Sequence, residues 1–249
     1  MRIGGIVDMS TVDWYGNISL IVFFSGCNIR CPYCQNSGLI PLDSGEEVDI
    51  ELIRDRIRIG RKLLDAVVFT GGEPLLQPKA LMEAGKLVKS FGLKLMLDTN
   101  GSVPSTVGPL LKADLVDRFA LDVKAPLTPA DYERVAGLRG NGKIVVEGIK
   151  KTINLCEEHG VTIEARTTIA PTISDENKFV RRIASDIINH CDVYYIQQFD
   201  NTGQVLSPEI KALEPPSRGR IIELAKIALQ EGAKNVYIKT RQHGLERVE

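Results

Sequence analysis

The chain has 249 residues, 43% hydrophobic and 25% charged, which fits a soluble protein of one large α/β domain or two small ones. Its 31 Lys and Arg against 32 Asp and Glu leave a net charge of -1, so nothing in the balance points to a nucleic-acid partner or an acidic substrate. The five cysteines are odd in number and partly crowded, poor material for a disulfide framework and better suited to a reducing compartment. No basic-then-apolar leader opens the sequence, and no apolar run approaches the ~20 residues of a membrane span. The expected location is the cytoplasm, with no membrane contact.

Arg2 to Val7 reads as a short strand or lead-in. Asn17 to Phe24 is apolar with little alternation, as expected of a strand buried on both faces. The cysteine-rich stretch Ser25-Gly26-Cys27-Asn28-Ile29-Arg30-Cys31-Pro32-Tyr33-Cys34-Gln35-Asn36 follows directly. Asp49 caps a helix to about Leu64, with Ile50, Ile53, Ile57 and Leu64 at helical spacing. Ala66 to Thr70 is the next strand, ending in Gly71-Gly72-Glu73-Pro74, and a helix from about Lys79 to Ser90 stops at Gly92. Strands are expected at Leu93–Leu97, before Asp98-Thr99-Asn100-Gly101, and at Asp117–Val123, which carries Asp122 and Lys124 at its end.

Thr128-Pro129 starts a short helix through Val135, and a longer helix runs from about Val146 to His159. Val161 to Ile169 is a fifth strand bearing Glu164 and Arg166. A helix from Ser174-Asp175-Glu176 to about Asn189 leads to a sixth, Val193–Phe199. A helix from about Ser217 to Gln230 and a strand at Asn235–Thr240 complete the chain. Strands alternating with helices imply βαβ units and a parallel sheet, either doubly wound or an incomplete β/α barrel. Polar residues gather after the strand ends, and a barrel would bring those loops to one face. That clustering favours the barrel.

The spacing C-x₃-C-x₂-C places three soft ligands in one loop after a strand. Thiolates are the usual ligands of iron–sulfur clusters, and sulfur also suits zinc or Cu(I). A closed zinc site needs four protein ligands, and no fourth Cys or His is nearby, so the loop reads as an open site. The other reading is a zinc loop completed by Cys156, Cys191 or a distant histidine. Cys156 and Cys191 have apolar neighbours and read as buried thiols.

Cys27, Cys31 and Cys34, with an aromatic before the last, resemble the signature loop of the radical S-adenosylmethionine (SAM) superfamily. Gly71-Gly72-Glu73-Pro74 resembles its Gly-Gly-Glu element. Thr11-Val12-Asp13, Val22-Phe23-Phe24-Ser25-Gly26-Cys27 and Cys34-Gln35-Asn36 are similar to the glycyl-radical-enzyme activases, above all the activating proteins of anaerobic ribonucleotide reductase. The likeness covers roughly Thr11 to Phe199. It implies an α/β fold, the incomplete (β/α)6 TIM-like barrel of radical SAM enzymes, in one domain of residues 1–249. The core would span about 17–199 and a β/α extension about 200–249.

The resemblance also implies a site. Cys27, Cys31 and Cys34 would hold three irons of a 4Fe–4S cluster, with SAM on the fourth. Reductive cleavage of SAM would give methionine and a 5′-deoxyadenosyl radical that abstracts hydrogen. Tyr33 would lie near the adenine, or simply pack the loop, and Gln35 would join the cofactor-binding set. Gly71 and Gly72 would let backbone approach a ligand closely. Glu73 would accept from the SAM ammonium or shape the strand edge. Leu97 to Gly101 and Leu121 to Lys124 resemble stretches of pyruvate formate-lyase activating enzyme. By that likeness Asp98, Thr99 and Asp122 would surround a monovalent cation, with Lys124 near the SAM carboxylate. Arg166 would form a fork on the same carboxylate, and Gln198 would replace a family histidine.

The implied partners are a glycyl-radical enzyme, whose glycine is the hydrogen donor, and a flavodoxin or ferredoxin as electron source. Trp14-Tyr15-Gly16 departs from the Gly-Pro-Gly of the activase opening and leaves room for a small-molecule or nucleoside substrate instead.

Overall fold

The computed structural model describes all 249 residues. Its strands are β1 (Arg2–Ser10), β2 (Ser19–Phe24), β3 (Glu46–Glu47), β4 (Ala66–Gly71) and β5 (Lys94–Thr99), then β6 (Arg118–Asp122), β7 (Thr162–Ile169), β8 (Val193–Gln198), β9 (Val236–Thr240) and β10 (Gly244–Arg247). They form one sheet in the order β10-β9-β8-β7-β6-β5-β4-β2-β1-β3. Strands β2 and β4 to β9 run parallel; β1, β3 and β10 pair antiparallel at the two sides. The β2 and β4 runs that barely alternate in sequence lie together, Ser19 opposite Ala66 through Phe24 opposite Gly71.

Helices cross between the parallel strands: α1 (Ile50–Gly60), α2 (Pro78–Ser90), α3 (Pro104–Lys112), α4 (Pro129–Val135), α5 (Gly142–Glu158), α6 (Asn177–Ile187), α7 (Pro208–Lys211) and α8 (Arg218–Gln230). Asp49 caps α1, accepting from Glu51 N at 2.9 Å, and α1 buries Ile53 and Ile57. Of these elements, α3 was not among those expected, and it carries Pro109 in its interior. Pro109 and Ser105 both lie on the exposed face of α3. The Ser105 carbonyl that loses its partner therefore faces water, while Thr106, Val107, Leu110 and Leu111 bury the other side. The edge strands β3 and β10 and the four-residue α7 are too short to leave a periodic signal. β1 runs past Val7 to Ser10 because β2 pairs with it along its length.

Side chains on successive strand residues divide between two faces. One face, with Leu20, Val22, Phe24, Val67, Phe69, Leu95 and Leu97, packs against the helices in the main core. The other carries Ile21, Val68, Met96 and Ala120, closed by Trp14 from the β1–β2 link. Arg118 lies 5.5 Å over the Trp14 ring.

The same link shows that the sheet is rolled. Arg166 on β7 donates to Asp13 O at 3.1 Å, and Lys239 on β9 reaches Val12 O at 3.3 Å. The outermost strands β3 and β10 do not pair with each other, so the roll stays open. Six parallel strands, β2 and β4 to β8, make the incomplete barrel, and α8 with β9 extends it.

Candidate active site

The loop after β2 is pinned from several directions. Gly26 N and Cys27 N donate to Leu39 O and Ile40 O, and Arg30 N donates to Ala136 O at 2.8 Å. From the far end of the chain, Leu206 N and Ser207 N donate to Cys34 O and Pro32 O, while Gln35 Nε2 donates to Asp200 O at 2.9 Å. Cys27, Cys31 and Cys34 consequently line one wall of a cleft at the carboxyl ends of the parallel strands. Burial pushes the thiol of Cys27 up to about 11, that of Cys31 up to about 12, and raises that of Cys34. At neutral pH all three are protonated until a metal displaces the protons.

No three Cys, His, Asp or Glu side chains converge closely enough for one metal ion. Three thiols spread along one wall fit a cluster that takes one sulfur per corner. Neither Cys156, Cys191 nor any histidine lines the cleft, so the fourth ligand required by the zinc-loop alternative is missing there.

The Gly-Gly-Glu element is stitched to this loop. Gly72 N donates to Phe24 O at 2.8 Å and Glu73 N to Gly26 O at 2.7 Å. A Cβ on Gly71, whose φ is +119°, would meet Phe24 O at 2.2 Å, and one on Gly72 would meet Gly26 O at 2.2 Å. These glycines are required by the approach of two backbones, β4 against the cysteine loop, and they also line the cleft.

Glu73 is a correction to the expected role. Its carboxylate is fully buried and does not line the cleft. It accepts from Leu75 N (3.0 Å), Thr99 Oγ1 (2.7 Å) and Asn100 N (2.7 Å), tying the β4 end to the β5 end. Of the two roles the sequence allows, the side chain fills the structural one. The Thr99 hydroxyl donates to Glu73 and accepts from Gly101 N.

The strand ends opposite the cysteines are charged. Lys124 Nζ donates to Asp122 Oδ2 at 2.8 Å. Burial would lower the Lys124 pKa, but Asp122 outweighs it and holds the ammonium well above its ordinary value. Arg166 binds Glu164 at 2.6 Å and lies 3.5 Å from Asp98 Oδ2, which also accepts from Thr70 Oγ1. Burial pushes Asp98 upward against the pull of Arg166, and its Oδ1 is buried without a partner. Tyr33 lines the cleft with a buried, unpartnered hydroxyl.

Of the expected site residues, Cys27, Cys31, Cys34, Tyr33, Gln35, Gly71, Gly72, Asp98, Thr99, Asp122, Lys124 and Arg166 come together around the cleft. Gln198 does not. Its amide donates to Pro216 O and accepts from Arg241 N on the other face of β8, and the neighbouring Gln197 occupies the cleft instead. The lining also includes Thr70, Asn100 and Thr168. Two-residue spacing within the strands could have found Thr168 from Arg166. Asn100 is held by Asn28 at 3.0 Å, a contact without a sequence signal.

The sequence profile of the radical SAM superfamily matches residues 21–183. The chain belongs to the radical SAM superfamily. SAM and a 4Fe–4S cluster are the cofactors of this family, and the chain is a radical SAM enzyme. A protein of Methanocaldococcus jannaschii, provisionally named a glycyl-radical enzyme activating enzyme, is 36% identical over 238 residues, 96% of this chain and 95% of that one. The pyruvate formate-lyase-activating enzyme of Clostridium pasteurianum is 33% identical over 192 residues, 76% of each chain. A radical SAM methyltransferase from Sphaerobacter thermophilus superposes with a TM-score of 0.73 over 92% of this chain and 68% of that one, at 16% identity. That last likeness is one of fold. No helix is long and apolar enough to cross a membrane.

Proposed function

We propose that this chain activates a glycyl-radical enzyme, such as an anaerobic ribonucleotide reductase, with Cys27, Cys31 and Cys34 holding the cluster. The observation that carries the site is the cleft itself: Cys27, Cys31 and Cys34 line it together with Asp98, Asp122, Lys124 and Arg166. Bound together, cluster and SAM supply a one-electron cleavage of the sulfonium and a primary alkyl radical that takes hydrogen from carbon.

The chain's residues orient the SAM headgroup. Lys124 and Arg166 are the cations for its carboxylate, Arg166 held in place by Glu164 and Asp13 O. The Asp98 side chain, 21% exposed in the cleft, is suited to the SAM ammonium or, with Asp122, to a monovalent cation. Tyr33 and Gln35 form the wall beside Cys34. The cleft sits within the rolled sheet, which keeps water from the reacting carbon. The unbroken sheet supports reading residues 1–249 as one unit. Five free cysteines suit a reducing cytoplasm, where a flavodoxin or ferredoxin can supply the electron.

The choice of a glycine as substrate rests on the two relatives that span most of the chain. Mixing the reduced, cluster-loaded protein and SAM with a glycyl-radical enzyme from the same source should give a glycyl radical doublet in electron paramagnetic resonance. The two proteins should also co-purify. SAM cleavage without that doublet on any such partner would move the substrate to a small molecule or nucleoside.

A further inference from the structure

The cysteine loop has an outer side as well as the wall it gives the cleft. Arg30, between Cys27 and Cys31, is exposed and does not line the cleft. Its guanidinium donates to Cys27 O at 2.7 Å and to Ile29 O at 3.0 Å, which fixes a cation on the outside of the backbone that carries the thiols. Arg30 N donates to Ala136 O, and a Cβ on Gly137 would meet Arg30 O at 2.2 Å. The link from α4 to α5 therefore lies against this side of the loop. A second contact is made through Asn28, whose Nδ2 donates to Ser102 Oγ at 2.8 Å. A Cβ on Gly148 of α5 would in turn meet Ser102 O at 2.5 Å.

This border is basic. From residue 134 to 151 the chain sets Arg134, Arg139, Lys143, Lys150 and Lys151 against one carboxylate, Glu147, in a protein whose net charge is -1. Arg30, Arg139 and Lys151 are exposed with no carboxylate at ion-pair distance, and Lys143 reaches Glu147 at only 3.8 Å, both side chains largely in water. Glu133, just before the stretch, is spent on Gly142 N at 3.2 Å. Ile144, 67% exposed, lies one turn before Gly148 and on the same side of α5 as Lys151. It gives the charged border an apolar centre.

We propose that this face, Arg30 with Arg139, Lys143, Ile144 and Lys151, docks an acidic protein that carries one electron to the cluster. The inference rests on the cysteine assignment made above. Electron transfer falls steeply with distance, and at Arg30 one thickness of backbone separates the solvent from the thiols. The carrier loses one electron there and the cluster gains it. Carriers of this kind form small, short-lived interfaces, and opposite charge speeds their encounter. None of the five residues lines the cleft, so the face stays open while the cleft is filled.

The test is anaerobic stopped-flow absorbance, following cluster bleaching when the cluster-loaded, full-length protein meets flavodoxin hydroquinone. The flavin passes from anionic hydroquinone to neutral semiquinone, one electron with no proton. Arg139→Glu combined with Lys143→Glu should slow this reduction about tenfold at low ionic strength. Added salt should slow the parent and leave the variant little changed. Both positions are exposed, and a carboxylate at the second residue of α5 suits the helix dipole, so melting temperature and iron content should hold. Arg61→Glu with Lys62→Glu, exposed beyond the end of α1, makes the same change in net charge and should leave the rate unaltered. Dithionite should reduce all three proteins alike and give equal deoxyadenosine. Failure with dithionite is a failure of the radical site; failure with flavodoxin alone is a failure of this face. The proposal is overturned if flavodoxin does not reduce the parent, if both double variants slow equally, or if the first slows not at all. Loss of co-purification with the glycyl-radical enzyme, at an unchanged flavodoxin rate, would overturn it too and give the face to that partner.

Discussion

Glu73 is a fully buried carboxylate with three hydrogen-bond donors and no ion pair. Burial pushes its pKa from 4.5 up to about 7, against the pull of Asn100, Thr99 and Leu75. The folded protein therefore keeps a proton that the unfolded chain releases. The stability this group contributes is full below pH 4.5 and declines toward pH 7, by about 3 kcal/mol for such a shift. Glu73→Gln removes that slope but sets an amide N–H₂ against donors, at about 1–3 kcal/mol. In denaturant unfolding the parent should be the more stable at pH 4.5, with the gap narrowing toward pH 8. A widening gap would contradict the assignment. Arg166 makes a different prediction. Arg166→Met leaves Glu164 and Asp98 without their shared cation, and breaking such a buried pair costs about 3–5 kcal/mol; a loss below 1 kcal/mol would show that Arg118 alone satisfies Glu164.

At this scale the residue types of the site were legible in the sequence, but the directions of their side chains were not. The cysteines and the charged residues at strand ends announce themselves by type and spacing. A one-residue step along a strand reverses the face, and that step separates Gln197 in the cleft from Gln198 behind it. Glu73 differs for another reason: a turn follows β4, and only the fold shows the Asn100 and Thr99 donors waiting for it.

Among the elements, the link between β1 and β2 has a task that its sequence conceals. Trp14, 5% exposed, fills the concave face among Ile21, Ala66, Val68, Met96 and Ala120. In the sequence Trp14-Tyr15-Gly16 looks like a changed docking segment; in the fold Trp14 is a core residue, while Tyr15 is 66% exposed. Trp14→Ala should cost about 3–5 kcal/mol, read by thermal or denaturant unfolding. As the single tryptophan, Trp14 should emit at short wavelength in the folded protein and shift to the red on unfolding. A red-shifted emission from the native protein would contradict its burial. The strands and the longer helices were readable because each carries a full apolar pattern. Helix α3 was not, because Pro109 signals a break that its exposed position makes tolerable.

The whole molecule is a rolled parallel sheet whose carboxyl ends gather one polar cleft; the alternation of strands and helices implied the parallel sheet, and the polar strand ends favoured the roll. The roll brings Asp13 to Arg166 and Val12 to Lys239, contacts across a sequence distance that no local pattern reports. The cysteine assignment is tested at this scale. Cys31→Ala should abolish iron retention after anaerobic reconstitution, while Cys156→Ala, buried in α5 away from the cleft, should retain it. The most direct measurement is the yield of 5′-deoxyadenosine when the reconstituted protein is reduced with dithionite in the presence of SAM. Deoxyadenosine should form with the parent protein and with Cys156→Ala, and fall to background with Lys124→Ala combined with Arg166→Lys. An intact 4Fe–4S cluster that yields no deoxyadenosine would contradict the assignment of this cleft.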